Sequence, residues 1–188
     1  RCAAIFQAAV NAPDQITQVL REILGSTLFS GTTNYHSKIK TPLELAVSIV
    51  RGVDGESSAE RLHQLVQNMG FNLYEQPGPT GWSEKGIDWM SSGLLTERLK
   101  VVEYLLRVNS VRYQTTNMVS FCTRNGATTS DAIVDFMLTR LLGEYPAATR
   151  TQALAFLGAS FSLTERNAET RLRQLAIIVM AYPQFQYQ

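Results

Sequence analysis

The sequence is poor in the residues that usually announce chemistry. It has two cysteines and two histidines among 188 residues. Two cysteines do not make a disulfide scaffold, and Cys2 and Cys122 carry no zinc-type spacing. Two readings stay open for them: one bridge in an oxidising compartment, or burial as small apolar side chains. His36 lies in a Ser/Asn-rich loop. His63 follows Glu60 by three residues and reads as a solvated helix residue. There is no His-x-x-x-His pair and no Cys/His cluster, so no metal site is expected. Nucleophile-elbow, dinucleotide-loop and P-loop motifs are missing as well, and no cofactor is expected. Asp54-Gly55-Glu56 is too short for a calcium loop and reads as a turn.

Charge is also sparse. Charged residues make up 18% of the chain and the net charge is +1, with Lys and Arg scattered. That gives no field that would argue for nucleic acid. No apolar run approaches the roughly 18 residues of a membrane span, so none is expected. The chain shows neither a signal peptide nor an initiator Met. It opens Arg1-Cys2-Ala3-Ala4-Ile5-Phe6, already inside a helix-like pattern, and so reads as a part of a longer polypeptide.

What the sequence has is helix punctuation. Asp14 precedes an apolar face of Ile16, Val19, Leu20, Ile23 and Leu24, ended by Gly25-Ser26. Residues 30–38 are loop-like. Thr41-Pro42-Leu43-Glu44 is a capping box with proline at the first helical position, and Gly52 stops that helix. Ser57-Ser58-Ala59-Glu60 repeats the box and opens a helix that stops at Gly70. After an irregular 71–91, Ser91 or Ser92 caps a helix with the seam Leu95, Leu99, Val102, Leu105 and Leu106. The polar stretch 109–128 offers no motif. Ser130 and Asp131 begin a helix closed by Gly143, and Pro146 starts the next. Ser162-Leu163-Thr164-Glu165, a third box, opens a last helix that stops before Pro183. Period-two alternation is lacking. These features predict one all-α domain over 1–188, an irregular bundle of about six to eight helices with a long ordered Pro/Gly/Trp loop.

That loop holds the candidate site. Pro77 and Pro79 stiffen it, and Glu84, Asp88 and Glu97 flank Trp82 and Trp89. Acids beside aromatics suit carbohydrate chemistry. The plainer reading has these acids capping helices or pairing with Lys85 and Arg98. The tryptophans likewise serve either as a clamp on a helical core or as a binding platform. The favoured arrangement has Arg98 reaching back to Glu84 or Asp88, and Trp82 packed on the helix that begins at Pro42.

Several segments carry a family likeness. They are Ile23-Leu24-Gly25-Ser26-Thr27-Leu28-Phe29, Lys38 to Glu44 (Lys-x-Lys-Thr-Pro-x-Glu) with Arg51, and Leu65 to Gly70. Pro77 to Trp82, Trp89-Met90-Ser91, Leu94-Leu95-Thr96-Glu97-Arg98 and Tyr182-Pro183-Gln184-Phe185-Gln186 complete the set. On these residues the chain resembles the C-terminal portion of the bacterial domain of unknown function 1800 family. Tyr182 and Gln184 depart from the family pattern. The resemblance implies an exported protein, periplasmic or extracellular, a compartment in which Cys2 and Cys122 could be joined. It implies as partners the rest of the same polypeptide and another exported protein. No activity comes with it. The sequence therefore leads to a non-catalytic interaction or assembly domain. The alternative is part of an enzyme acting on a cell-envelope or extracellular polymer, with the Trp82/Trp89 loop contributing to substrate binding.

Overall fold

A computed structural model describes residues 1–32, 36–76, 78–83, 85–107 and 116–188. The fold is all-α: the described residues hold ten α-helices and no strand. By its contacts the chain divides into two compact units. One comprises Arg1–Lys38 and Gln188, the other Ile39–Tyr187.

The smaller unit carries α1 (Cys2–Ala8) and α2 (Gln15–Leu24), which pack on each other. Asp14 occupies the N-cap position of α2 but makes no side-chain cap bond. Its carboxylate instead accepts from the Gln18 side chain at 2.9 Å. Gly25 ends the helix, as the sequence indicates. Ala9 is the only apolar residue of this unit that is buried among the described ones.

The larger unit is built around α9 (Ala168–Ala181), which touches α5 (Ser92–Leu106), α6 (Met118–Arg124), α7 (Ser130–Leu142), α8 (Ala147–Leu157) and α10 (Pro183–Gln186). Its position follows from its sequence: Leu172, Leu175, Ala176, Val179 and Met180 are all fully buried. A helix apolar on so much of its circumference is stable only when enclosed. α3 (Pro42–Gly52) lies against α5 and against α4 (Ala59–Asn68). Gly52 permits a close approach here, since a Cβ at that position would sit 2.8 Å from the Leu141 Cδ2.

The helix starts separate good signals from near misses. Thr41 forms the complete capping box. Its Oγ1 accepts the Glu44 N–H at 3.4 Å, and the Glu44 carboxylate accepts the Thr41 N–H at 2.7 Å. In the second box the cap is Ser58 rather than Ser57, with Ser58 Oγ accepting from the Arg61 N–H at 3.4 Å. Only half of the third box forms. Glu165 accepts the Ser162 N–H at 3.0 Å, but the chain turns again before α9 starts at Ala168. The polar stretch hides α6, capped by Asn117 through the Ser120 N–H at 2.8 Å. Residues 108–115 of that stretch lie outside the described residues.

Both cysteines are free thiols. Cys122 is fully buried in α6, and burial, helped by Glu169, pushes its thiol up to about 12. Such a thiol behaves as a core residue.

Caps can be told apart by truncation. Thr41→Ala and Ser58→Ala are each expected to cost about 1 kcal/mol, and Ser57→Ala close to nothing. Chemical-denaturation midpoints check this. A loss for Ser57→Ala equal to that for Ser58→Ala would contradict the observed helix start.

Candidate functional site

The Trp loop forms a three-ring cluster. Trp82 stacks on Phe71 at 4.9 Å between centroids, and Trp89 lies 5.7 Å from Phe71 and 6.0 Å from Trp82. Trp89 is buried, and its Nε1–H donates to the Ser83 carbonyl at 3.1 Å. Trp82 is half-buried. Its indole N–H has no hydrogen-bond partner among the described residues. Its ring partners are Phe71 and Trp89, where the sequence suggested the helix beginning at Pro42. Asp88 is exposed and bonds the Ser83 hydroxyl, which also accepts the Lys85 N–H at 3.1 Å. Asp88 thus organises its own loop. Glu97 pairs with Lys100 at 2.7 Å. Glu84 and Pro77 lie outside the described residues. The loop is seated by Gly86, where a Cβ would come within 2.7 Å of the Ile39 Cβ.

Arg98 goes elsewhere. It is fully buried, and its Nε donates to the Gln186 side-chain oxygen at 2.8 Å. Its Nη2 donates to the Lys40 carbonyl at 2.9 Å. The expected bond from Arg98 to Asp88 is not formed. The reason is positional: six helix residues precede Arg98 in α5, enough to carry its side chain into the interior beside α3 and α10. Gln186 passes the network on, donating to the Met180 carbonyl at 3.2 Å. Lys40 closes it. Its backbone N–H donates to the Gln186 carbonyl at 2.8 Å, next to an isolated antiparallel bridge between Ile39 and Tyr187. Its ammonium donates to the Phe185 carbonyl at 2.7 Å and sits 4.2 Å over the Phe185 ring.

Two cations are thereby held together with little counter-charge. Burial brings the Arg98 guanidinium down to about 10. Burial and then Arg98 bring the Lys40 ammonium down to about 8, against the opposing pull of Glu44. The Arg98 Nη1 has no partner among the described residues.

Beside this network a groove of about 380 Å³ opens between α3, α7 and α10. Lys40, Ser48, Arg51 and Arg140 supply its polar lining, and Val47, Leu141 and Phe185 its apolar wall. Arg140 is fixed by three acceptors: the Gly52 carbonyl at 3.3 Å, the Arg51 carbonyl at 3.2 Å and Asp54 at 2.8 Å. It thus covers the carbonyl end of α3. Sequence reading missed Lys40, Arg51, Arg140, Phe185 and Gln186 as site residues. The Lys-x-Lys-Thr-Pro segment drew attention, but its cap accounts for only Thr41 and Glu44. Among the described residues no group of three or more His, Cys, Asp or Glu is placed to hold a metal ion. Nor is any helix there long and apolar enough to cross a membrane.

The segments that form this junction, Lys38 to Glu44, Arg98 and Tyr182 to Gln186, are among those that carry the family likeness. A family model for a protein of unknown function, DUF1800, matches residues 1–187. The chain belongs to the DUF1800 family. No curated protein and no solved structure matches it. In this DUF1800 chain the most specific sequence motif is therefore consumed largely in hydrogen bonds that join distant parts of the larger unit.

Two outcomes test this geometry. Trp89→Ala is expected to cost roughly 3 kcal/mol or more, the range for a buried aromatic, and the half-buried Trp82→Ala distinctly less; paired thermal melts compare them. The second concerns Lys40. Its folded pKa lies below the ordinary 10.5, so the unfolded chain keeps a proton that the folded chain gives up from about pH 8 upward. Stability must then rise with pH through that window. Cys122 acts in the opposite sense around and above its ordinary 9.0, and more weakly than Lys40 between pH 8 and 9. Between pH 8 and 9 the rise is therefore expected in the wild type and flattened in Lys40→Met. Equal changes in unfolding free energy from pH 8 to pH 9 in the two proteins, read from denaturant titrations, would contradict the burial of the ammonium.

Proposed function

We propose that this chain is a non-catalytic interaction domain that docks on another polypeptide through α2. One observation carries the reading. The apolar face of α2 is uncovered: Ile16 is 60%, Leu20 50% and Leu24 57% exposed. Leu28 and Phe29 continue it at 79% and 58%. Isolated surface leucines are ordinary, but a contiguous stripe of this kind marks an interaction surface. An amphipathic helix is suited to lie in an apolar groove of a partner, with anchors at i, i+4 and i+8. Ile16, Leu20 and Leu24 have that spacing. The polar motif residues Thr41, Glu44, Arg98 and Gln186, by contrast, have intramolecular partners that use them for structure.

Export to the periplasm or beyond is part of the same proposal and rests on the family likeness. The alternative, a substrate-binding part of an enzyme acting on an envelope or extracellular polymer, draws on the half-buried Trp82 with its unpartnered indole N–H. Burial of Trp89 and the use of Asp88 within the loop weigh against it.

Site-specific photo-crosslinking in the producing cells tests the docking face. A photoreactive residue at Leu20 or Leu24 is expected to give one discrete adduct with a second polypeptide. The same probe at exposed Glu103 on α5 should not. Crosslinks confined to the chain itself, or an equal adduct from Glu103, would overturn the reading. Cell fractionation tests export in the same strain, and a purely cytoplasmic protein would contradict it.

A further inference from the structure

We infer that the groove between α3, α7 and α10 is a binding site for a phosphate monoester. It lies wholly within the larger unit and is independent of the α2 docking face. Three cations line it, Lys40, Arg51 and Arg140. Arg140 shares Asp54 with Arg124, at 2.8 and 3.8 Å respectively. Glu44 acts on Lys40. With Arg98 behind Lys40, five cations stand against these two carboxylates, so the groove carries a clear excess of positive charge. Such an excess suits a phosphate monoester, a dianion above its second ionisation near pH 6. A monocarboxylate would answer less of it.

The geometry is built rather than incidental. Its three bonds to backbone and to Asp54 hold the Arg140 guanidinium in one place, so little rotamer freedom is left to lose on binding. Arg51 is exposed and stands in no ion pair among the described residues, so its fork is available for bidentate contact. Ser48 adds a hydroxyl to the lining. Val47, Leu141 and Phe185 give an apolar wall for the organic part of a ligand. The volume of about 380 Å³ exceeds what inorganic phosphate needs and lies in the range of small-molecule sites.

Lys40 ties occupancy to protons. The charged groups acting on its ammonium are Arg98 from α5 and Glu44 from α3, and Arg51 and Arg140 line the same groove. α10 offers it only the neutral Phe185 carbonyl and ring. A bound dianion would favour the protonated ammonium, so binding near pH 8 must take up protons.

The test is titration calorimetry of the chain with glycerol 3-phosphate and, separately, with inorganic phosphate and with vesicles of phosphatidylcholine containing phosphatidic acid. Saturable binding of glycerol 3-phosphate is expected, tighter than for inorganic phosphate. Arg51→Gln should weaken it about tenfold, as for a lost charge-assisted contact. Arg107→Gln, an exposed arginine paired with Glu103, should leave it unchanged. Affinity should fall from pH 7 to pH 9, where the ligand's own charge no longer changes. The heat at pH 8 should vary with the buffer's ionisation enthalpy in the sense of proton uptake. Vesicle binding lost with Arg51→Gln would identify the monoester as a lipid headgroup; its absence, with the soluble ester bound, would identify a free metabolite. No saturable binding of either form would overturn the inference. So would equal losses from Arg51→Gln and Arg107→Gln, or an affinity indifferent to pH.

Discussion

The larger unit depends on a guanidinium buried without a carboxylate. Arg98 is the largest of its fully buried side chains, and it spends its donors on a backbone carbonyl and a side-chain amide. Water is a better solvent for an ion than two neutral acceptors are, so this arrangement is costly in isolation. It persists because each acceptor is itself fixed. The Lys40 carbonyl belongs to a segment held on one side by the Thr41 box and on the other by the pairing with residues 186–187. The Gln186 amide is anchored on the end of α9. Removing any one of these contacts leaves the others around an uncompensated charge.

That constraint orders the neighbouring features. Because Arg98 occupies the interior, Lys40 is pushed toward the groove with its ammonium against Phe185. Because Lys40 is extended there, Ile39 is presented to Gly86, and the Trp loop takes its seat on that contact. The loop and the groove thus both adjoin the segment whose Lys40 carbonyl Arg98 holds. The smaller unit obeys another rule. It has almost no interior of its own, and its stripe of Ile16, Leu20 and Leu24 leaves apolar surface facing water.

Local signals in the sequence were legible where one turn of chain decides the outcome. Thr41, Pro42 and Glu44 lie within a single helical turn, and the box formed as read. Ser57 and Ser58 are adjacent candidates for one role, and spacing alone could not choose between them. Asn117 caps a helix as well as a serine does, and Met118, Phe121 and Cys122 repeat at helical spacing. That signal was present in a stretch whose polarity hid it. The site was less legible because its contacts are remote. Lys40 meets Phe185 across 145 positions, and Arg98 meets Gln186 across 88. Nothing in local pattern tells an arginine on α5 to prefer an amide far along the chain to the nearby carboxylate of Asp88. The direction a helix faces decides that, and the direction is set by everything packed around it.

The joining of residues 39–40 to residues 185–187 also bears on how the protein is made. A ribosome delivers α3 and α5 long before it delivers Gln186, and domains form as units while synthesis proceeds. During that interval the Arg98 side chain lacks its amide acceptor and the Lys40 segment lacks the residues it pairs with. The helices can collapse, but the interior around Arg98 stays open to water until the last of those residues has left the exit tunnel. Between the emergence of α5 and that of Gln186 the contacts around Arg98 therefore wait on residues still to be made, and they can close only together.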